Sequence, residues 1–234
     1  VRFSAKDVDD LFTECEHKLG TCVQVEPSET LIELSPHVGK GYLQRIKLRP
    51  GLEISIEHFE VLEPFMVEVP KHFNREGIEF KSSLSGYAKG DFSDFEYEYH
   101  LAPRQSRVSF TANCGEWIEC QPHDPIIHVE VNVEPSILNN LIGERADQVS
   151  RDLQTILAGR ATGPLSLTQK KSQATFQAAE QILNCPYQGL TRQLFLESRA
   201  LELIALQLPL SLTENQTNSS HYALKKDEVD RIHY

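Results

Sequence analysis

The sequence lacks several features that mark common classes of protein. It has no run of 18 or more apolar residues, so no transmembrane helix is predicted. Its first ten residues, VRFSAKDVDD, contain no apolar segment of the kind found in signal peptides. Basic residues are scarce, since 23 Lys and Arg stand against 34 Asp and Glu, a formal net charge of −11. A surface that binds duplex DNA needs clustered cations, so we do not expect these residues to contact DNA.

Cysteine is also scarce and irregularly placed. The five residues are Cys15, Cys22, Cys114, Cys120 and Cys185. An odd, scattered set is poor material for a disulfide framework, which favours a reducing compartment and hence the cytoplasm.

Local signatures of the common catalytic sites are missing as well. The sequence shows no phosphate-binding loop, no dinucleotide-binding fingerprint and no nucleophile elbow. We therefore predict no cofactor and no catalytic residues, although a spatial triad leaves no signature in local sequence.

The residues that are present divide the chain into three zones. Residues 4–20, SAKDVDDLFTECEHKLG, have the apolar spacing of a short helix that begins near Ser4 or Asp7 and ends at Gly20. Residues 22–133 hold about eight short runs rich in β-branched and aromatic residues, separated by turn signals such as Pro50-Gly51 and Gly86. Such runs, with no helical period between them, predict an antiparallel β-barrel or jelly roll.

Alternation gives each predicted strand two different faces. In LEISIEHF, residues 52–59, Leu52, Ile54 and Ile56 share one face with His58, and the residues between them are polar. One face must belong to the core. Periodicity leaves open whether the barrel is filled or encloses a cavity.

The third zone, residues 134–209, is predicted to be helical. Two short helices precede a loop, and a longer helix spans Thr168 to Leu183 and ends before Pro186. The helix after the turn carries a wide apolar stripe that includes Leu190, Leu194, Leu201, Ile204 and Leu208. This stripe either closes the barrel and packs on its partner helix or forms a subunit interface.

Residues 210–234 read as a polar linker followed by the beginning of another helix, LKKDEVDRIHY. This pattern suggests the start of a further domain. The expected organisation is therefore 1–133 for the N-terminal helix and barrel, 134–209 for the helical region, and 210–234 for the linker and start of that domain.

Three stretches carry a resemblance to a known family. They are QILNCPYQGLTRQLFLESRALELIALQL (residues 181–208), GYLQRIKLRPGLEISIEHFEV (residues 41–61) and IEFKSSLSGY (residues 78–87). Together they resemble AraC-type bacterial transcriptional regulators of the PchR-like branch. The resemblance implies an α+β fold, with a cupin-like effector-binding barrel followed by a helical dimerisation hairpin. DNA would then be read by a helix-turn-helix domain that is absent from this sequence.

The same resemblance implies a function. The chain would be the effector-binding and dimerisation half of a homodimeric regulator in the cytoplasm, with an iron-siderophore chelate as the leading effector. The alternative is a metal-dependent cupin-type enzyme acting on a small metabolite. Such enzymes use a His-x-His pair, which this sequence lacks. His58-Phe59-Glu60 and the group Cys114, Cys120, His123 and His128 are weak substitutes, and we predict no metal site.

Six residues on the predicted strands are candidate contacts for the effector. Trp117 and Tyr97 are aromatic groups suited to stacking, and Arg45 could meet an anionic group. His58, Phe80 and Ser82 lie on strand faces that could point inward.

Overall fold

The computed structural model describes residues 8–70, 77–92, 98–111, 114–161, 163–170 and 172–209. The helices in these ranges are α1 (Val8–Leu19), α2 (Pro135–Ile142), α3 (Arg151–Leu157), α4 (Gln173–Leu183) and α5 (Gly189–Gln207), with a 3₁₀ turn at Gly143–Gln148. The strands are β1 (Cys22–Glu26), β2 (Glu29–Glu33), β3 (Gly39–Arg49), β4 (Leu52–Val61), β5 (Phe65–Val69), β6 (Ile78–Ser85), β7 (Ala88–Phe92), β8 (Glu98–Leu101), β9 (Gln105–Phe110), β10 (Glu116–Cys120), β11 (Ile126–Val133) and β12 (Leu165–Lys170). Tyr97 and the predicted linker at 210–234 lie outside the described residues.

The strands form two antiparallel sheets. The larger has eight strands in the order β1-β2-β3-β4-β11-β6-β9-β12, and the smaller has four in the order β5-β10-β7-β8. Non-consecutive strands are neighbours in both, as expected for a jelly-roll-like chain path. The prediction of an α+β fold built on antiparallel β-structure is confirmed, with the strands of the described residues in two separate sheets and not in one closed barrel.

The apolar face of the larger sheet forms the main core. Ile54 of β4, Phe80 of β6 and Val131 of β11 are fully buried there, and they pack with Leu196 and Leu203 of α5. Burying one such side chain contributes about 1.5–3 kcal/mol. The sheet and the helical region are therefore held together mainly by this apolar layer, and the polar face of the same strands is left to face the smaller sheet.

The predicted turn signals are confirmed. Gly51, between β3 and β4, has φ = +74°, and Gly86, between β6 and β7, has φ = +79°. This left-handed region is one that glycine adopts without steric cost. Gly20, with φ = +62°, follows the last residue of α1 at the predicted helix end.

One element contradicts the sequence analysis. The predicted helix from Thr168 to Leu183 begins only at Gln173, where the side chain of Ser172 accepts a hydrogen bond from the backbone N–H of Thr175. Residues Leu165–Lys170 instead form β12, which pairs with β9 along its whole length. The pairing with a distant strand outweighs a weak local helical preference, because it satisfies the backbone groups of both strands.

The predicted hinge between two helices is confirmed. The helix α4 ends at Leu183, and α5 begins at Gly189 after a turn that contains Pro186. The far end of α5 is fixed to the sheet, because the buried amide of Gln207 donates a hydrogen bond to the Ser82 hydroxyl at 3.2 Å. In the part of the chain that the structure describes, no helix is both long and apolar enough to cross a membrane.

Candidate functional site

A cavity of about 250 Å³ lies between the two sheets. One part of its lining is apolar and comes from α1 together with strands of both sheets. Representative residues of this part are Leu11, Phe12, Phe59, Phe65, Val69 and Ile118. The remaining wall is the polar face of the larger sheet, so the interior is amphipathic, as small-molecule sites usually are.

The polar wall is built on one row of cross-strand partners. Arg45 pairs with Ser55, Ser55 with Glu130, Glu130 with Lys81, and Lys81 with Arg107. Residues directly opposite one another in a sheet share a face, so β3, β4, β11, β6 and β9 present this row to the cavity together.

Lys81 is the centre of an ion network in this wall. Its ammonium lies 2.8 Å from Oε1 of Glu57 and 3.0 Å from Oε2 of Glu130. Burial alone would lower the pKa of Lys81, but Glu130 and Glu57 raise it above its ordinary value. Burial alone would likewise raise the pKa of Glu57, but Lys81 and His128 hold it well below its usual range. Both groups are therefore charged near neutral pH.

His128 completes this network. Its Nδ1 lies 2.8 Å from Oε2 of Glu57. Burial lowers the pKa of the imidazole, against the opposing influence of Glu57. Because the Glu57 carboxylate can only accept, the proton is assigned to Nδ1, and Nε2 carries a lone pair. Nε2 is buried and has no hydrogen-bond partner among the described residues.

Arg107 spans the gap between the sheets. Its guanidinium lies 3.8 Å from the ring centroid of Tyr99 in the smaller sheet. Its Nη1 is 3.6 Å from Oε1 of Glu116, and its Nη2 is 3.9 Å from Oε2 of Glu79. The carboxylates have closer donors, since the hydroxyl of Tyr99 donates to Glu116 and that of Ser109 donates to Glu79. Nε and Nη1 of Arg107 have no hydrogen-bond partner in the described part of the chain.

The charged residues that line the cavity do not balance. Three permanent cations face five carboxylates, a formal charge of −2. The cations are Arg45, Lys81 and Arg107, and the carboxylates are Glu53, Glu57, Glu79, Glu116 and Glu130.

Of the residues predicted from the sequence to contact an effector, Arg45 lines this cavity, where it forms an ion pair with Glu53 at 2.7 Å. Three other assignments are corrected. Phe80 and Ser82 lie on the opposite face of β6, in contact with the helical layer, because Glu79 and Lys81 take the cavity face. His58 is packed beside Tyr42, outside the cavity lining.

Trp117 is corrected for the same reason. On β10, Glu116 and Ile118 face the cavity, so alternation turns Trp117 to the outer side of the smaller sheet, where Lys89 lies 5.8 Å from its ring centroid. Four residues of the cavity wall were not predicted from the sequence to contact a ligand there, although His128 was weighed as a metal ligand. They are Lys81, Arg107, Glu57 and His128. Their signal was the presence of both charge signs on alternate positions of strongly apolar strands.

The residues weighed as weak substitutes for a metal site are dispersed. Cys114 lies in an apolar cluster with Phe92 and Tyr99, whereas Cys120 lies in another with Val61. Among the residues that the structure describes, no group of three or more His, Cys, Asp or Glu is arranged to hold a metal ion.

The helix α5 presents part of its predicted stripe outward. Leu190 is 71% exposed and Leu194 is 61% exposed, while Leu201 and Leu208 are partly buried against the core. The prediction that Ile204 belongs to the interface is wrong, because its side chain is only 5% exposed and is packed in the core.

Comparisons with known proteins give the family. Residues 39–224 match the family model described as the N-terminal domain of the regulatory protein PchR. No curated protein sequence matches the chain.

Solved structures resemble the chain only distantly. A ToxT variant from Vibrio cholerae is 11% identical with a TM-score of 0.45, and the alignment covers 75% of this chain and 59% of ToxT. The AraC-like transcriptional activator CuxR is 10% identical with a TM-score of 0.42, with 91% of this chain and 69% of CuxR covered. The Cnp3 cupin domain of Schizosaccharomyces pombe is 11% identical with a TM-score of 0.33, with 52% and 90% covered. The match over residues 39–224 spans most of the chain, which therefore belongs to the family of the N-terminal domain of the regulatory protein PchR.

Proposed function

We propose that the chain is the effector-binding and dimerisation domain of an AraC-type transcription regulator, in which another domain contacts DNA. The observation that carries the proposal is the amphipathic cavity between the sheets, which the side chains of the described residues leave unfilled. A structural sandwich would fill this space with apolar side chains, because interiors are close-packed. A regulatory family also favours this function over the cupin-type enzyme.

The size and mixed polarity of the cavity support binding of a small molecule. An iron-siderophore chelate is the effector that the sequence resemblance suggests, and we keep it as the first candidate. The expected location is the cytoplasm, where the five free thiols would stay reduced.

Thermal unfolding of the purified protein with a panel of ligands tests the effector. The panel contains iron-siderophore complexes, the metal-free siderophores and the bare metal ions. A ligand that binds only the folded state at one hundred times its Kd stabilises it by about 2.7 kcal/mol, a clear rise in Tm. A rise with one chelate, but not with its metal alone, supports this effector class. A rise with metal alone would contradict it and revive a metal site.

Dimerisation is proposed through the exposed part of the α5 stripe. Leu190 and Leu194 are one helical turn apart and project two large apolar side chains into solvent. Tyr187, which makes an edge-on ring contact with Phe195 at 5.0 Å, extends the apolar surface from the preceding turn. Partial exposure of Leu201 continues it along the helix.

Sedimentation velocity at several protein concentrations tests this interface. The double substitution Leu190→Ser with Leu194→Ser should convert a dimer into a monomer without lowering Tm, since neither side chain belongs to the core. The matched control is Leu206→Ser, which removes another exposed leucine about 140° further round α5 and should leave the dimer intact. A double variant that stays dimeric, or a wild-type protein that is monomeric throughout, would contradict the proposal.

A further inference from the structure

Two buried side chains that line the same cavity have polar atoms that make no hydrogen bond with the described residues. Nε2 of His128 and the Nε and Nη1 atoms of Arg107 have no hydrogen-bond partner among the described residues, and these side chains are 1% and 2% exposed. Both residues line the cavity wall. A buried polar group without a partner is costly, so a ligand that supplies partners to both gains affinity that an apolar ligand cannot.

The two side chains require ligand atoms of opposite hydrogen-bonding type. His128 is held through Nδ1 by Glu57, so its Nε2 accepts a hydrogen bond. A guanidinium can only donate, so Arg107 requires an acceptor atom. His128 lies on β11 and Arg107 on β9, with β6 between these two strands. Arg107 is in register with Glu130, so His128 is displaced from it by two residues along the strand direction. From strand spacing, their Cα atoms are about 12 Å apart, so a ligand that reaches both residues must offer an acceptor to Arg107 and a donor to His128.

The charge of the wall restricts the ligand further. Five carboxylates outnumber three cations, so an added anion would enter a site that already carries a formal charge of −2. A cationic group would be attracted by that charge, but it has no atom that can accept from Arg107 and would leave Nε and Nη1 of Arg107 without an acceptor among the described residues. An uncharged molecule avoids both conflicts.

We propose that the effector is an uncharged molecule with two hydrogen-bonding ends, a carbonyl-type oxygen that accepts from Arg107 and an O–H or N–H that donates to Nε2 of His128. Its apolar body would lie against Leu11, Phe12 and Phe65. The inference rests on the proposed effector-binding function and specifies the ligand class for that cavity. Among iron-siderophore chelates, only those without net charge satisfy it.

Four para-substituted benzenes of similar size test the class, with binding followed at pH 7 by ¹H–¹⁵N correlation spectra of the protein. The uncharged probe is 4-hydroxybenzamide, with a carbonyl at one end and a hydroxyl donor at the other. The anionic, cationic and apolar counterparts are 4-hydroxybenzoate, 4-hydroxybenzylamine and p-xylene. We expect the uncharged probe to bind at least about tenfold more tightly than any of the other three, since each lacks a partner or adds an unfavourable charge.

A ligand-by-residue cycle tests the contact with His128. The substitution His128→Asn keeps an N–H near Glu57 but removes the Nε2 acceptor. It should weaken 4-hydroxybenzamide about tenfold and leave 4-methylbenzamide, which lacks the hydroxyl, unchanged. Arg107→Lys should weaken binding of both amides. Lys40→Gln, at an exposed position near the start of β3, should weaken binding of neither.

The outcomes separate this proposal from the proposed function. Tighter binding of the anion or the cation, equal binding of p-xylene, or equal weakening of both amides by His128→Asn would overturn the ligand class while leaving a cavity that admits small molecules. Failure of every probe, p-xylene included, to shift any cavity resonance would overturn both, because the cavity would then be closed to ligands of this size.

Discussion

Replacing Lys81 with methionine measures how much the ion network of the cavity wall contributes to stability. The ammonium compensates two carboxylates, those of Glu57 at 2.8 Å and Glu130 at 3.0 Å, and the Lys81 side chain is 10% exposed. Methionine fills a similar volume but leaves both carboxylates without their cation. Removing one partner of a buried ion pair costs about 3–5 kcal/mol, and we expect the free energy of unfolding to fall by this amount.

A triple variant separates charge from packing. Adding Glu57→Gln and Glu130→Gln to Lys81→Met removes the uncompensated charges, so much of the lost stability should return. Lys40→Met is the matched control, because Lys40 also pairs with a glutamate, Glu60 at 2.9 Å, but lies 77% exposed where solvent screens the charge.

Equilibrium unfolding in urea, followed by circular dichroism, provides the comparison between these variants. The slopes against urea should agree among them, so that differences in midpoint report differences in stability. A Lys81→Met protein with the same midpoint as Lys40→Met would refute the idea that the wall holds a tightly coupled buried network. If the triple variant did not regain stability, the fall in the free energy of unfolding would come from altered packing and not from uncompensated charge.

Three further predictions follow from single side chains. Burial lowers the pKa of His128, so the folded state binds a proton less readily than the unfolded state, and stability present above about pH 6.5 is lost as the pH falls. His128→Asn should therefore make the urea midpoint less sensitive to pH between 7 and 5. The same dependence of the midpoint on pH in both proteins would contradict this. Leu196→Ala in the core should cost about 2–5 kcal/mol in urea unfolding, whereas Leu190→Ala on the exposed side of the same helix should cost far less. Cys22 is exposed, whereas burial raises the pKa of Cys120 to about 12, so a disulfide reagent should modify the native protein fastest at Cys22, and Cys22→Ser should remove the fast phase.

The strands show how far local pattern can carry a prediction. Alternation in β4 correctly separates Ile54 from Glu53 and Glu57, and the turn glycines correctly mark where strands end. Alternation states that two faces differ, but it does not state what covers each. Here helices cover the apolar face, and a second sheet covers the polar one, so charged residues that a single strand would present to water are buried.

The same limit explains the corrected sites and elements. The sequence predicts that Phe80, Ser82 and Trp117 face inward, whereas Lys81 and Glu116, one position away, face the cavity. A shift of one residue exchanges the two faces of a strand. A strand can therefore be predicted correctly while the wrong one of its two faces is assigned to the cavity, and the predicted ligand contacts are then wrong. The strand β12 is not predicted from the local sequence, because its stability comes from pairing with β9, about sixty residues earlier in the chain.

The sequence by itself determined the acidic charge, the strand-rich first part, the α4–α5 pair and the family, because composition, short-range periodicity and motif similarity are properties of the linear chain. The tertiary structure decided that Lys81, Arg107, Glu57 and His128 share one cavity, that Ile204 belongs to the core, and that Leu190 and Leu194 remain outside it. These facts depend on strand order and on the opposing layer, which bring distant residues together. Their pKa values and unpaired atoms exist only once that layer has excluded water.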